Sequence, residues 1–285
     1  MIQIKNLTKY YGKSRGIIDL NLEVKEGECF GYIGPNGAGK STTIRTLLGL
    51  IEASSGEATI MGMDVWKDKT KILKDVGYLA SEAVFYPGMK VKDVLKLSAD
   101  LRKTDCSKEC KKLCERLQLD VDRKVDELSF GNRKKVAIVA ALQHNPKLLI
   151  LDEPTSGLDP LMQKEFFEII RETNQNGATV FLSSHILSEI QKNCTRAAII
   201  REGKIIACDS VDALSKTNAK RVTIQGLKSE KLPADIWDVK NGDDVVNFLY
   251  GGDMKALMKW LVAEEFTDLT IAEPELEEIF LHYYE

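Results

Sequence analysis

Eight residues, Gly34-Pro-Asn-Gly-Ala-Gly-Lys-Ser41, have the types and spacing to hold phosphate. They fit the pattern G-x-x-x-x-G-K-S/T. Glycines let successive backbone N–H groups turn inward without side-chain clash, which makes a concave anion site. Lys40 adds a movable positive charge for the outer phosphates, and Ser41 offers a hydroxyl to a magnesium ion. Such a loop works only between a strand and a helix. Glu28 to Ile33 reads as that strand and Ser41 to Leu50 as that helix. The helix would aim its unpaired N–H groups and positive dipole end at the same point.

Other residues could share the chemistry. Leu148 to Leu151 is a continuous apolar run, suited to a strand buried on both faces of a parallel sheet. It ends in Asp152-Glu153-Pro154, two carboxylates where ligands bind in open α/β sheets. Ala178 to Ser184 reads as another strand and ends at His185. Ser129 and Gly131 precede a helix expected over Lys134 to Gln143. That helix start is either a second anion site or a plain helix cap. Tyr11, in Lys9-Tyr-Tyr-Gly12, is either a turn or core residue or a flat surface for an adenine ring. His144 and His282 have no such context and receive no role.

Composition narrows the class. The chain has 285 residues, a net charge of −3 and the apolar and charged fractions of an ordinary globular protein. A charge of that sign gives no reason to expect a nucleic-acid partner. The apolar runs are too short to span a bilayer, and Met1 to Asn6 lacks the apolar centre of a signal peptide. The expected location is therefore cytoplasmic, with any membrane association made through a partner. Six cysteines are present. Cys106, Cys110 and Cys114 recur every four residues and are either thiolate ligands or the buried face of a helix shared with Leu113 and Leu117. The second reading is favoured, because structural zinc sites prefer C-x-x-C spacing and disulfides are rare in the cytosol.

The remaining chain frames these residues. Ile2, Ile4 and Leu7 suggest an opening strand, and Ile18, Leu20, Leu22 and Val24 a second. Strands follow over Glu57 to Met61 and Val76 to Ala80, then a turn-rich stretch, Ser81 to Gly88. From Val91 to Leu119 the period is helical. A helix is expected from Pro160 to Thr173 and a hairpin over Ala197 to Cys208. Beyond Lys216 the texture changes to a small α+β region. It has strands over Arg221 to Gln225 and Val245 to Tyr250, a helix near Met254 to Leu261, a strand at Leu269 to Ile271 and a final helix at Leu276 to Tyr283. The expected domains are 1–215, with a helical subdomain at about 88–145, and 216–285.

Taken in order, Gly34 to Ser41, Leu128-Ser-Phe-Gly-Asn132, Leu148 to Glu153, Ser156-Gly-Leu-Asp159 and His185 resemble the ATP-binding subunits of ABC transporters. The ending Glu273 to Leu281 resembles ATPase subunits of bacterial exporters of the bacitracin-resistance, antibiotic-efflux and sodium-extrusion type. The resemblance implies an α/β P-loop NTPase of the ABC ATPase type: a mixed sheet core, a helical subdomain and a C-terminal α+β appendage. It implies ATP and Mg2+ as cofactors. It also implies a homodimer or heterodimer of ATPase subunits around two ATP, driving an integral membrane subunit, with export as the direction.

Residue by residue, the resemblance places Gly34, Pro35, Asn36, Gly37, Ala38, Gly39, Lys40, Ser41 and Thr42 at the phosphates and Tyr11 on adenine. Ser41 and Asp152 match the magnesium positions, Asp152 through water. Glu153 matches the general base, His185 the γ-phosphate switch, and Ser129 and Gly131 the residues that meet the nucleotide of the other subunit. Asp159 matches the link between the two sites. The chain departs from the family at Ser81, where Gln is usual, with Glu82 beside it. Phe130 replaces the first signature glycine, and Asn132 replaces Gln. A soluble ABC-type ATPase in translation or DNA repair, and a regulatory subunit that holds ATP without turnover, remain alternatives. The intact set Lys40, Asp152, Glu153 and His185 argues against the latter.

Overall fold

The computed structural model describes residues 1–215, 219–228 and 231–272. The final helix expected at Leu276 to Tyr283, and the tail Glu273 to Leu281, lie outside the described residues. Two compact units divide the chain, Met1–Val211 and the remainder from Asp212.

The first unit is built on two sheets. Antiparallel strands β1 (Ile2–Tyr11), β2 (Ser14–Val24), β4 (Ser55–Ile60) and β5 (Met63–Asp64) lie in the order β2-β1-β4-β5. The six-stranded sheet comprises β3 (Cys29–Ile33), β6 (Val76–Leu79), β7 (Leu148–Asp152), β8 (Thr179–Ser184), β9 (Arg196–Arg201) and β10 (Lys204–Ser210). Its order is β10-β9-β3-β8-β7-β6. The pairings β3 with β8 and β9, and β7 with β6 and β8, are parallel, and β10 is antiparallel to β9. This is the expected mixed sheet. β3 and β7 are buried along their whole length, because both faces are covered.

Helix α1 (Lys40–Leu47) joins the two sheets. Ile44 and Leu47 on α1 share one core with Ile2, Leu20, Phe30, Tyr32, Ile150 and Phe181. Its buried positions recur at helical spacing, and Arg45 in its last turn suits the negative dipole end. A short α2 (Lys69–Ile72) precedes β6.

The helical stretch expected over Val91 to Leu119 is two helices, α3 (Val91–Arg102) and α4 (Ser107–Arg116). They break at Lys103, which closes α3 in a left-handed conformation with φ 57°. Cys106, just before α4, and Cys114 are buried, as are Leu113 and Leu117, while Cys110 is half-buried, so the cysteine stripe follows the inner side of α4. Among the described residues no cluster of three or more His, Cys, Asp or Glu is arranged to hold a metal ion.

Helix α5 (Phe130–Leu142) starts four residues earlier than expected. Ser129 caps it by accepting a hydrogen bond from the Asn132 N–H. Helices α6 (Pro160–Gln175) and α7 (Leu187–Asn193) complete the layer set. Pro160 at the first position suits a helix start. The chain then passes through α8 (Val211–Ser215).

The second unit has the antiparallel order β12-β13-β11-β14, from β11 (Lys220–Gln225), β12 (Ile236–Asn241), β13 (Val245–Tyr250) and β14 (Asp268–Ala272), with helix α9 (Met254–Ala263). Val222 and Ile224 alternate inward on β11 and pack with Phe248, Leu257 and Leu261.

The centre of the larger sheet tolerates no added volume. A Cβ on Gly31 in β3 would collide with the Ile190 side chain of α7, itself fully buried. Gly31→Val is expected to destabilise the first unit by about 1–3 kcal/mol through overpacking. Urea unfolding followed by fluorescence checks this, and an unchanged midpoint would contradict the packing described.

Candidate functional site

The loop 34–39 leaves the carboxyl end of β3 and enters α1. Gly37 and Gly39 have φ values of 78° and 114°, which an L side chain rarely adopts. They bend the backbone around a cavity of about 300 Å³. Pro35, Asn36, Gly37, Gly39, Lys40, Ser41 and Thr42 line it, together with Arg15, Gly16, Ser81 and Glu153. Ala38 faces the core instead, and its carbonyl accepts the Gly203 N–H.

Lys40 is buried yet fully engaged. Its Nζ donates to the carbonyls of Gly34 at 2.6 Å and Pro35 at 3.2 Å. It also lies 3.2 Å from Glu153 Oε1. That carboxylate oxygen is buried and accepts no hydrogen bond, so the contact is ionic only. The other oxygen, Oε2, accepts from His185 Nδ1 at 2.6 Å. Glu153 has φ 47°, a strained value for a residue with a side chain. Its N–H donates to the Ser183 carbonyl at 3.0 Å, which ties the strained turn to β8.

Asp152 ends β7 and is buried at 2 % exposure. Its oxygens accept from Ser41 Oγ at 3.0 Å and Ser183 Oγ at 3.1 Å. Burial raises its pKa, the two hydroxyl bonds oppose that, and the neighbouring Glu153 charge adds to the rise. The structure therefore brings Lys40, Ser41, Asp152, Glu153 and His185 together at the ends of three adjacent strands.

Tyr11 closes β1 rather than sitting in a turn. Its half-exposed ring lies against Gly16, where an added Cβ would come within 3.0 Å of Cε2. Lys9 Nζ stands 5.6 Å from the ring centroid. Ser129, Gly131 and Asp159 do not line the cavity. Ser129 and Asp159 serve as helix caps in the single chain, Asp159 accepting from the Leu161 and Met162 N–H groups. Phe130 packs over Gly157, where a Cβ would strike its ring.

Two buried charges near the site carry no signal in the sequence. Lys134 is 1 % exposed, and its Nζ donates to the carbonyls of Ala80, Ser81 and Glu153. Burial pulls its pKa down to about 8, against the pull of Asp152 and Glu153. Glu189 accepts from Thr155 Oγ1 and Ser184 Oγ and so ties the turn after β7 to the end of β8. No motif in the sequence marks either residue, and charged side chains in helices ordinarily face water. A larger cavity of about 1060 Å³ lies elsewhere, between α3 and α4. It offers no strand-end carboxylates and no glycine loop, so the smaller cavity is the site of interest.

A strand, a glycine loop bent around a cavity, and a lysine and serine opening a helix define a P-loop nucleotide-binding protein. Comparison with known proteins narrows the class. The family described as ABC transporter matches residues 17–156. The chain is 35% identical to the bacitracin transport ATP-binding protein BcrA of Bacillus licheniformis, over 99% of this chain and 96% of that protein. It is 31% identical to the linearmycin resistance ATP-binding protein LnrL of Bacillus subtilis, over 99% and 97%. A solved ATP-binding subunit of an ABC transporter superposes with a TM-score of 0.71 at 30% identity, over 75% of this chain and 91% of that one. A dimeric post-hydrolysis ATP-binding cassette bound to ADP and Pi does so at 0.66 and 25%, over 74% and 99%.

The chain belongs to the ATP-binding subunits of ABC transporters. It is an ATPase of that family, whose subunits dimerise and partner membrane subunits. Among the described residues no helix is long and apolar enough to cross a membrane itself.

The buried Asp152 is held at the expense of stability. Because its pKa is raised on folding, its ionised form disfavours the folded state at neutral pH, and acidification relieves that cost. Asp152→Asn keeps an oxygen acceptor, and the amphoteric Ser hydroxyls can turn to suit the amide. In magnesium- and nucleotide-free buffer it should melt higher than wild type at neutral pH, and the difference should vanish in acid. Calorimetry at the two pH values checks this.

Proposed function

We propose that the chain hydrolyses ATP with Glu153 as the base, within a head-to-tail dimer that drives a membrane-embedded exporter. The observation that carries the reading is that Glu153, which lines the glycine-loop cavity with Lys40, is held between Lys40 and His185.

Each residue has work to do in phosphoryl transfer to water. The loop N–H groups and Lys40 neutralise phosphate charge. Glu153 Oε1, an acceptor with no hydrogen bond, polarises the attacking water and takes its proton as the bond to the ADP oxygen breaks. His185 holds Oε2 through Nδ1 and presents the far side of its half-exposed ring to the γ-phosphate. Tyr11, against Gly16, offers a face to adenine.

Ser41 Oγ and Asp152 are hard oxygen donors of the kind magnesium takes beside water and phosphate, so the residues present fit that ion. When bound it supplies further charge neutralisation at the phosphates. Ser129 and Gly131 lie outside the cavity of their own chain, as they would if they served the nucleotide of the second subunit. Asp159, at the start of α6, would join the two sites.

The membrane partner is assigned to a groove of about 430 Å³ lined by Val84, Phe85, Tyr86, Met89, Leu97 and Leu101. Val84, Tyr86 and Leu101 are each more than 70 % exposed, an unusual load of apolar surface for one patch. The segment that forms the groove begins at Ser81, which lines the ATP cavity. Its position connects the nucleotide to the partner through a few residues. Export, and an antibiotic-like cargo, follow from the likeness to the bacitracin and linearmycin proteins.

Glu153→Gln should lower turnover by roughly 10²–10⁴-fold, as loss of a general base does, and should trap an ATP-bound dimer. Phosphate release and size-exclusion chromatography at saturating ATP measure both. Equal turnover in the variant and wild type would remove Glu153 from the chemistry. Leu101→Glu should leave ATP binding intact while abolishing co-purification with the proposed membrane subunit. Retained co-purification would move the docking surface elsewhere.

A further inference from the structure

Helix α5 grips the turn after β7 at two points one helical turn apart. Phe130 packs over Gly157, and Lys134 donates to the carbonyl of Glu153. The same ammonium donates to Ala80 at 2.9 Å and Ser81 at 3.0 Å, at the end of β6. An ammonium has three donors, and here all three are satisfied by carbonyls from two chain segments. A buried lysine is costly unless each donor is used, so this position is set by geometry rather than by packing.

We infer that Lys134 is a positioning residue for hydrolysis. It fixes the backbone of Glu153, and with it the carboxylate, to the helix that begins at Ser129. The inference rests on Glu153 being the base. It extends that reading, because the helix whose start would face the partner's nucleotide also holds the base of its own site. Ser81, which lines the cavity at the head of the groove segment, hangs from the same ammonium. The Lys134 side chain does not line the cavity itself, so it acts through Glu153 and Ser81 and not on the nucleotide.

The test uses the full chain with Lys134→Met, which keeps length and removes the donors, and Lys134→Arg, which restores them. Lys134→Met should bind ATP and reach half-saturation within about twofold of wild type while kcat falls roughly 10–100-fold, the scale of a misplaced catalytic group. Lys134→Arg should recover part of kcat. Hydrogen exchange, which needs no turnover, should quicken at 80–82 and 153–158 in Lys134→Met and stay unchanged in β3. An unaltered kcat overturns the inference, as does a parallel loss of ATP binding with exchange raised throughout, the mark of a merely structural role. If Glu153→Gln turns over like wild type, the assignment of the base fails first, and the exchange result alone then decides whether Lys134 holds the two segments.

Discussion

Glu153 is held through every polar group it possesses. Its N–H is bound by the Ser183 carbonyl and its own carbonyl by Lys134, while one side-chain oxygen meets His185 and the other faces Lys40. The backbone sits in the left-handed region, so this web also offsets local strain. Remove any strand of it and the carboxylate loses its bearing on the phosphate cavity. The rest of the first unit supplies the anchors: β8 gives Ser183, the residue after it is His185, α5 gives Lys134, and the start of α1 gives Lys40.

The contact between Lys40 and Glu153 also describes the resting protein. A buried ammonium needs a partner, and the glycine-loop carbonyls and Glu153 provide it. Phosphate is a stronger partner for Lys40 than a carboxylate that makes no hydrogen bond to it. Nucleotide and the Glu153 carboxylate would therefore compete for one cation. A carboxylate freed from Lys40 is a better proton acceptor, as the proposed role of Glu153 requires.

Much of this was legible in the sequence, and the reasons for the exceptions are physical. The glycine loop, the Leu148–Leu151 run and the two carboxylates announce themselves, since buried strands read as apolar runs and anion loops need glycine. The start of α5 did not, because Phe130-Gly131-Asn132 has poor helix propensity and the Ser129 cap and packing on Gly157 override it. Lys134 and Glu189 were silent because a charged residue in a helix ordinarily faces water. Only three-dimensional closure reveals the acceptors and donors that bury them. Strand β12 was missed for another reason. Its register shifts between Trp237 and Lys240, so no alternation survives to be read.

The left-handed backbone of Glu153 has an evolutionary edge. A residue with a Cβ at that conformation stores about 1–2 kcal/mol that glycine would release. Glycine there would relieve the backbone but would also leave the buried Lys40 ammonium without its anionic neighbour and take away one wall of the cavity. The strain is retained for the charge it delivers, and it limits how this position can drift: relief of the backbone and loss of the ion pair arrive together.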